Sequence, residues 1–318
     1  MTPRYRLRSH QRYQHLNFAF VDGDHKTDFA MHKHDFSELF LVLEGNGKHV
    51  VSKYEYPLNT GDIFVINGDT EHGFKDVDNL KLINLMFDAS SPFFELPSMR
   101  ALSGYQALFK IEPIARQTSE YSAKLTLSRD QLPQVATLLE QIRTEYQQAE
   151  PGFEIIISSL MQQLVVKLAR LYHKQQLDTP QTTFALSRAL VYLEQHFTNS
   201  HIDIGHIANA AFVSSRQLQR LFRQYFECSP MQYLRTLQLN YSHQLIVDEK
   251  VGSVQLIAER SGFSDSNYFS KCYKQQFGQT PRTDIKKSRY TEERRRRYQG
   301  ASPVSEIIDQ QNVVTNNG

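Results

Sequence analysis

The sequence predicts a multidomain α+β protein, with a β-barrel first, a helical region next and an all-α domain last. Two observations carry this prediction. Short β-branched and aromatic runs, separated by turn residues, fill the first 125 residues. Apolar residues recur at helical spacing from about residue 130 onward. With 318 residues, of which 40% are hydrophobic, the chain is long and apolar enough to bury more than one core.

Three runs predict strands in the first domain, residues 1–125. They are FSELFLVLEG (36–45), GKHVVSKYEYPL (47–58) and GDIFVING (61–68). Glycine, asparagine and aspartate lie between or after them at 45–47, 59–62 and 67–69, where we expect turns. Short strands at this spacing are typical of a sandwich or barrel.

The second region, residues 126–183, predicts two amphipathic helices. Apolar residues repeat every three or four positions from Leu132 to Ile142 and again from Ile155 to Leu171. These stripes exceed what one thin helix pair buries, so we expect a homodimer seam; packing on the barrel alone is the alternative. The seam would use some of Leu160, Leu164, Leu168 and Leu171. Residues 175–183 (QQLDTPQTT) lack periodicity and are expected to be a linker.

The third domain, residues 184–290, contains a tandem repeat. SSRQLQRLFRQYF (214–226) aligns with DSNYFSKCYKQQF (265–277). Each copy predicts a helix, a short turn and a second helix, which is capped by Ser214 in one copy and by Asp265 in the other. Four residues of each second helix are expected to face the core. They are Leu218, Leu221, Phe222 and Tyr225 in the first copy, and Phe269, Cys272, Tyr273 and Gln276 in the second.

The opposite face of each second helix carries polar and basic residues. Arginine can bind guanine, asparagine and glutamine can bind adenine, and lysine, arginine and serine can hold phosphates. We therefore predict that both helices bind double-stranded DNA. The predicted contacts are Ser215, Arg216, Gln219, Arg220 and Arg223, and in the second copy Ser266, Asn267, Ser270, Lys271 and Lys274. An ordinary solvated helix face is the alternative for one copy alone, and the repetition argues against it.

Charge and composition limit the remaining classes. The net charge is only +2, but residues 185–290 carry 13 Lys/Arg against 8 Asp/Glu, which suits a polyanionic partner. The two cysteines, Cys228 and Cys272, are too few for a disulfide framework or a zinc cluster. No leader and no apolar stretch near twenty residues is visible, so we expect a cytoplasmic protein that does not span a membrane. Residues 291–318 are expected to form a disordered tail.

Residues 184–287 resemble the DNA-binding domain of the AraC/XylS family of bacterial transcription regulators. The family's second helix-turn-helix carries a pattern much like GFSDSNYFSKCYKQQFGQTP (262–281). The resemblance implies two helix-turn-helix motifs joined by a long helix, each placing a recognition helix in the major groove. Three residues depart from the family's pattern. Glu227 stands where glycine is usual, Gln238 replaces a common basic residue, and Asp284 occupies a usually aromatic position.

The first domain resembles the cupin superfamily through His32, His34 and Glu38, followed later by His72. His32, His34, Phe36 and Glu38 are all even-numbered, so an extended segment would turn them to one side. In superfamily enzymes this set binds a metal, which leaves three interpretations: a divalent metal site, a metal-free sugar pocket, or satisfied core histidines. The predicted ligand contacts are His32, His34, Glu38, His72, Phe36 and Phe64, and the candidate metal ligands are His32, His34, Glu38 and His72.

The order of domains resembles the sugar-responsive members of the AraC family. HKHDFSELFLVLEGNGKHV (32–50) and GDIFVINGDTEH (61–72) are particularly similar to the rhamnose regulators of that family. The resemblance implies a dimeric transcription activator that is not an enzyme, with RNA polymerase as a partner and a small sugar, rhamnose first, as effector. No cofactor is expected beyond the metal alternative. A metal-dependent cupin enzyme fused to a DNA-binding domain and a ligand-independent regulator are the competing hypotheses.

Overall fold

The computed structural model describes residues 2–88, 92–118, 121, 123–175 and 181–299, with side chains up to residue 290. Contacts divide the chain into two compact units. One contains Met1–Gln195 and Asp203–Pro230, and the other contains His196–Ile202 and Met231–Gly318. The first unit therefore includes the first helix-turn-helix as well as the whole N-terminal domain.

The N-terminal domain is built on one sheet, which has eight strands in the described residues. The strand order is β1-β3-β7-β4-β6-β8, with β2 paired to β7 and β5 paired to β4. Only the β1–β3 pair is parallel among these pairings. The strands are β1 Arg4–Tyr5, β2 Phe18–His25, β3 Phe29–His34, β4 Ser37–Val51, β5 Tyr54–Leu58, β6 Asp62–Ile66, β7 His72–Phe87 and β8 Leu125–Thr126. The predicted sheet-rich first domain is confirmed.

The turn predicted at residues 45–47 is wrong, because β4 runs straight through it. The glycines instead accompany shifts of register between β4 and β7, as bulges do. Gly45 has a φ of +80°, and a Cβ there would lie 2.2 Å from the carbonyl oxygen of Asn79. The hairpin that joins β4 to β5 lies at residues 52–53, where Ser52 has a φ of +56°.

The two faces of the sheet bury different residues. On β4 the odd-numbered Leu39 and Leu41 pack with the helices in the large core of the domain. The even-numbered Phe40 faces the opposite side, where its ring stacks 5.2 Å from that of Phe64. We call these the outer and the inner face of the sheet. This alternation follows from the two-residue period of a strand.

Residues 97–118 are helical, whereas the sequence predicted strands as far as residue 125. The segment consists of α1 Pro97–Arg100, α2 Ser103–Tyr105, a π-helical stretch Gln106–Ile111 and α3 Glu112–Thr118. Within this segment Gly104 packs closely against Ala169, since a Cβ at residue 104 would lie 1.9 Å from the carbonyl oxygen of Ala169. The glycine serves close helix packing and is not a turn residue.

The two predicted amphipathic helices are confirmed as α4 Leu132–Gln148 and α5 Phe153–Lys174. Leu164 and Leu168 are each 1% exposed in a single chain, where they pack in the core with the outer face of the sheet. These two leucines cannot form the expected seam, whereas Leu160 and Leu171 are only partly buried. Helix α5 has the length and composition of a membrane span, but eight of its side chains are buried, as in a core helix.

The C-terminal residues form helices throughout. They are α6 Gln181–His196, α7 Ile204–Ala211, α8 Ser215–Phe226, α9 Pro230–Val247, α10 Val254–Arg260, α11 Ser266–Phe277 and α12 Pro281–Gln299. The predicted all-α domain is confirmed. The expected linker falls partly on residues 176–180, outside the described residues, and α6 begins at Gln181. The tail prediction is wrong for residues 291–299, which continue α12, while residues 300–318 lie outside the described part.

Candidate nucleic-acid interface and ligand site

The first helix-turn-helix consists of α7 and α8; both helices are capped, and the cap of α8 is the one that the sequence predicts. Asp203 and His206 form a reciprocal capping box at the start of α7. At the start of α8 the Ser214 hydroxyl accepts a hydrogen bond from Gln217 N, with an N to O distance of 3.2 Å. The four predicted core residues Leu218, Leu221, Phe222 and Tyr225 are all buried.

The second helix-turn-helix, α10 and α11, repeats this construction. Asp265 Oδ1 accepts hydrogen bonds from Asn267 N at 2.7 Å and Tyr268 N at 2.8 Å. Phe269 and Tyr273 are fully buried, as predicted. Cys272 is only partly buried and Gln276 is exposed, so the prediction that Gln276 faces the core is wrong. The Gln276 amide keeps its hydrogen bonds to water when it is exposed, so its exposure has no free-energy cost. The equivalent Tyr225 in the first copy has a large apolar ring, whose burial is favourable.

Most predicted DNA contacts are presented to solvent. Arg216, Gln219, Arg220, Arg223, Asn267, Lys271 and Lys274 are exposed. Within the described residues, none of the five cations on the two helices makes an ion pair. Ser215, Ser266 and Ser270 are half-buried, and the Ser270 hydroxyl already donates to Ser266 O at 2.8 Å. The serines therefore present less of their hydrogen-bonding capacity than the basic residues do.

Tyr268 was not singled out in the sequence, yet it lies in the first turn of α11 and is 50% exposed. The guanidinium of Arg235 on α9 lies 5.0 Å from its ring centroid and 4.6 Å from that of Phe263. Such cation–π contacts hold an aromatic side chain in place. The available signal was its alignment with Gln217, which is also an exposed first-turn residue.

Two of the three departures from the family pattern have local explanations. Gln238 is buried and donates from Nε2 to Phe197 O at 2.8 Å and to Gly262 O at 3.3 Å, so it closes a structural contact. Asp284 is buried as well, and it accepts hydrogen bonds from Tyr273 at 2.8 Å and from Gln279. Glu227 ends α8 in the left-handed region, with a φ of +54°.

The inner face of the sheet gathers the residues predicted as ligand contacts. His32 and His34 lie on β3, Glu38 on β4 and His72 on β7, and all four are buried. The chain turns between β3 and β4, so the single extended segment predicted for residues 32–38 is wrong. The residues still converge, because β3 and β4 both pair with β7. Phe36 stacks on His34 with ring centroids 4.3 Å apart, and Phe64 stacks on Phe40.

Three of these side chains direct atoms at one another. His34 Nε2 lies 3.0 Å from His72 Nε2, and Glu38 Oε2 lies 3.7 Å from the first and 3.8 Å from the second. Ligand bonds of about 2.0–2.2 Å around a tetrahedral ion place ligand atoms about 3.4 Å apart, so one divalent ion fits between them. Among the described residues His32 is outside this group. Its Nδ1 instead donates a hydrogen bond to Ala30 O at 3.0 Å.

His49 was missed by the sequence analysis. It is fully buried, and its Nε2 lies 3.3 Å from His72 Nδ1, while its own Nδ1 has no partner among the described residues. Because the turn was expected at 45–47, the inward direction of His49 could not be inferred from the sequence. His49 lies beside the candidate metal ligand His72, where it can hold the His72 ring in the orientation that metal binding needs.

Burial sets the ionisation of this histidine cluster, which we define as His34, Glu38, His49 and His72. It lowers the pKa of His34 to about 4 and holds the pKa values of His49 and His72 well below their usual value. Burial also raises the pKa of Glu38 to about 7. His34 Nδ1 lies 2.6 Å from Phe36 O, a carbonyl that can only accept, so the lone pair of Nε2 points into the cluster.

Arg116 is a further buried charged residue near the inner face, and no pattern in the sequence indicates it. Its Nη1 donates to Glu112 Oε2 at 2.9 Å, and its guanidinium lies 4.8 Å from the ring centroid of Phe64. Glu112 also accepts a hydrogen bond from Tyr172 on α5. The Arg116 Nε atom has no partner among the described residues.

Comparisons with known proteins match the N-terminal domain and the C-terminal helices to two different families. Residues 16–165 match the family described as AraC-like ligand binding domain, and residues 207–287 match a helix-turn-helix domain family. The HTH-type transcriptional activator RhaS of Escherichia coli strain SMS-3-5 is 28% identical over 264 residues, which cover 83% of this chain and 90% of RhaS. RhaS of strain E2348/69 is 29% identical over 266 residues, with the same coverage.

Solved structures are similar to a part or to most of the chain. A regulator with an AraC-type DNA-binding domain from Chromobacterium violaceum is 32% identical, over 33% of this chain and 91% of that chain, with a TM-score of 0.30. A lysine-to-alanine variant of ToxT from Vibrio cholerae strain SCE256 is 13% identical, over 85% of this chain and 97% of that chain, with a TM-score of 0.33.

Proposed function

Because the chain belongs to the AraC family of transcription regulators, we propose that it is a cytoplasmic activator whose DNA affinity or output responds to a small carbohydrate. The observation that carries the proposal is the repeated pair of capped helices, α8 and α11, each with exposed basic and amide side chains. Activation implies RNA polymerase as a partner. A homodimer on operator DNA is part of the same proposal.

Base reading is assigned to Arg216 and Gln219 on α8 and to Asn267 and Lys271 on α11. Alanine at a base-reading position should weaken specific binding by about 1–3 kcal/mol, whereas loss of a phosphate contact weakens binding to all sequences alike. The measurement is operator affinity of the four single variants at fixed salt, alongside affinity for an unrelated duplex. Footprinting should show two protected segments about one helical turn apart for each subunit.

Gln276→Ala is the matched control for these variants. Gln276 lies on α11 and is exposed, but it is outside the predicted DNA face. Its replacement should leave operator affinity unchanged. Operator affinity that is also unchanged in all four base-reading variants would remove α8 and α11 from the interface.

The effector we propose is a monosaccharide bound by the N-terminal domain, and rhamnose is the first probe because the relatives include RhaS activators. A ligand that binds only the folded state stabilises it by RT ln(1 + [L]/Kd), so a true effector raises the Tm, and the rise continues with the logarithm of its concentration above Kd. A panel of neutral sugars, sugar acids and deoxy sugars should contain one that shifts the Tm. A panel with no such member favours the ligand-independent regulator.

A metal in the histidine cluster is a second proposal, and the convergence of His34, Glu38 and His72 supports it. The neutral imidazoles and the carboxylate suit zinc or a similar divalent ion, which would fix the inner face and leave a position open for a ligand oxygen.

Calorimetry with chelator-treated protein should show one divalent ion bound, and binding should be lost in Glu38→Gln and His34→Ala. Sugar binding that needs the ion would place the sugar at the metal. If no sugar of the panel is chemically converted during incubation with the metal-loaded protein, this result supports a regulator without catalytic activity.

A further inference from the structure

A cavity of about 350 Å³ lies on the outer face of the sheet, on the side opposite the histidine cluster. Ser37, Val65 and Phe87 line it from the ends of β4, β6 and β7, and Phe109 and Lys110 line it from the π-helical stretch. Ser37 and Glu38 are neighbours in β4, so their side chains lie on opposite faces. The cavity is therefore separate from every residue predicted as a ligand contact in the sequence.

The walls of this outer cavity combine an apolar surface with hydrogen-bonding groups. Val65, Phe87 and Phe109 supply the apolar part, and all three are otherwise buried. Asn67 supplies an amide: its Oδ1 accepts from the Ser37 hydroxyl at 3.2 Å, and its Nδ2 has no partner among the described residues. Asp35 uses one carboxylate oxygen to accept from Leu7 N at 2.8 Å and has its second oxygen available.

The charges around the cavity cancel. Its charged lining residues are two cations and two anions. Arg4 is paired with Asp69 at 2.6 Å, and Lys110 is paired with Glu95 at 3.4 Å. A carboxylate or phosphate ligand would have to displace one of these pairs, whereas a neutral polyol uses the amide and the free carboxylate oxygen. The volume is near the lower end of the usual range of about 300–1,000 Å³ for ligand sites, which suits a monosaccharide.

The cavity wall connects to the helix that precedes the first helix-turn-helix. Tyr105 and Lys110 both contact the carboxylate of Glu95. Arg100 Nη1 donates to Glu95 at 3.2 Å, and Arg100 Nε donates to Glu194 on α6 at 3.0 Å. Glu95 and Glu194 have side chains only 12% and 5% exposed, so water screens these ion pairs little.

We infer that this outer cavity is the effector site, that it takes a neutral monosaccharide, and that the ion-pair chain Glu95–Arg100–Glu194 couples it to α6. The inference rests on the proposed function. A sugar hydroxyl beside Lys110 competes for its ammonium and so changes the pairing of Glu95. The equilibrium between two arrangements of the chain then shifts by the difference in the sugar's affinity for them.

The test of the site uses Asn67→Leu, which removes the free amide, and Asn59→Leu as its matched control. Asn59 is exposed just before the other end of β6, so the control makes the same chemical change outside the cavity. With the sugar that stabilises the wild type, Asn67→Leu should bind at least tenfold more weakly by calorimetry, and Asn59→Leu should bind like the wild type. His34→Ala should keep sugar binding, because the histidine cluster is on the other face.

The test of the coupling uses Arg100→Met and Glu194→Gln. Both should keep the sugar affinity of the wild type within about threefold, and both should lose sugar-dependent transcription while operator affinity without sugar persists. Loss of sugar affinity itself in Glu194→Gln would contradict a role in coupling alone.

The outcomes separate this inference from the proposed function. Sugar binding that survives Asn67→Leu and is lost in His34→Ala overturns the outer cavity and leaves a sugar-responsive regulator intact. A wild type that binds operator DNA but no sugar in the panel overturns both the cavity and the carbohydrate effector. Failure of the α8 and α11 variants to affect DNA binding contradicts the proposed interface and does not touch the cavity.

Discussion

His49 illustrates how single buried side chains determine the pH range over which the N-terminal domain is stable. A histidine whose pKa is lowered by burial stabilises the fold above the unfolded value of about 6.5, and this stability is lost as pH falls toward the folded pKa. His34, His49 and His72 all have this sign. Glu38, whose pKa is raised to about 7, has the opposite sign and offsets only part of the loss. Metal-free protein should therefore lose stability between about pH 7.5 and pH 5.

His49→Gln should make this loss smaller, because glutamine does not take up a proton in the unfolded chain as the pH falls. Urea unfolding at the two ends of this pH range, both with chelator, measures it. His201→Gln is the control, because His201 is exposed. Equal acid sensitivity of wild type and His49→Gln would mean that the pKa of His49 is the same in the folded and unfolded protein, contrary to the lowering that its burial causes.

At the scale of elements, the two repeats differ at the residue that ends the recognition helix. Glu227 and Gly278 are equivalent, and both have positive φ, of +54° and +74°. A side chain in this region costs about 1 kcal/mol relative to glycine. Glu227→Gly should therefore stabilise the protein by about 1 kcal/mol in chemical unfolding.

Gly278→Ala is the reciprocal variant and should destabilise by a similar amount. A Cβ at Gly278 meets no atom within 4 Å, so the cost is conformational and not steric. If both variants leave stability unchanged, the helix ends must relax to another backbone conformation.

Helix α5 allows core packing to be separated from dimerisation. Leu168→Ala should cost about 2–5 kcal/mol of unfolding free energy, because the side chain is fully buried in one chain. Ile156→Ser, at a position of the same helix that is 46% exposed, should cost less stability than Leu168→Ala. If the exposed side of α5 forms the dimer, light scattering at micromolar concentration should show dissociation for Ile156→Ser. Dissociation in Leu168→Ala without loss of stability would contradict the burial.

Element types were predictable where a period extends over many residues, as in α4, α5, α8 and α11. The sequence failed where glycine has two uses. Gly45 indicated a turn but lies in β4, where the register with β7 shifts as at a bulge. The hairpin at residues 52–53 contains no glycine or proline, so only the pairing of β4 with β5 in the structure reveals it.

At the scale of the whole molecule, buried Arg116 connects elements that are distant in sequence. It lies on α3, and its Nη2 donates to Ala123 O. The Tyr56 hydroxyl on β5 donates to the backbone carbonyl oxygen of Arg116 at 2.9 Å. Its side-chain partner Glu112 accepts from Tyr172 on α5. Removing one member of a buried pair costs about 3–5 kcal/mol, because the other charge is left unpaired.

Arg116→Met should therefore lower the Tm strongly, and adding Glu112→Leu to it should recover much of the loss. Thermal unfolding of the two variants and the Glu112→Leu single mutant forms a double-mutant cycle. Strictly additive effects would mean that the two side chains do not interact.

The candidate sites, like the elements, differ in how far the sequence could predict them. The recognition faces were predictable because exposed polar positions repeat in two copies. The convergence of His34, Glu38 and His72 was predictable from two short motifs. The outer cavity was not, because its residues come from three strand ends and a helix that the sequence did not reveal. Polar residues such as Asn67 and Asp69 have the same types as ordinary turn residues.

The alternation of β4 between the two faces has a consequence for how the gene can change. A single-codon insertion or deletion near residue 37 would move the Ser37 position to the inner face and the Glu38 position to the outer face. The histidine cluster and the outer cavity would both be disrupted by one event, even though each is built from residues of several strands. Substitutions can alter either site independently, so descendants of this gene should diversify at these strands by point mutation at constant length. Length variation should concentrate in loops away from the two faces, such as the segment around residues 52–53.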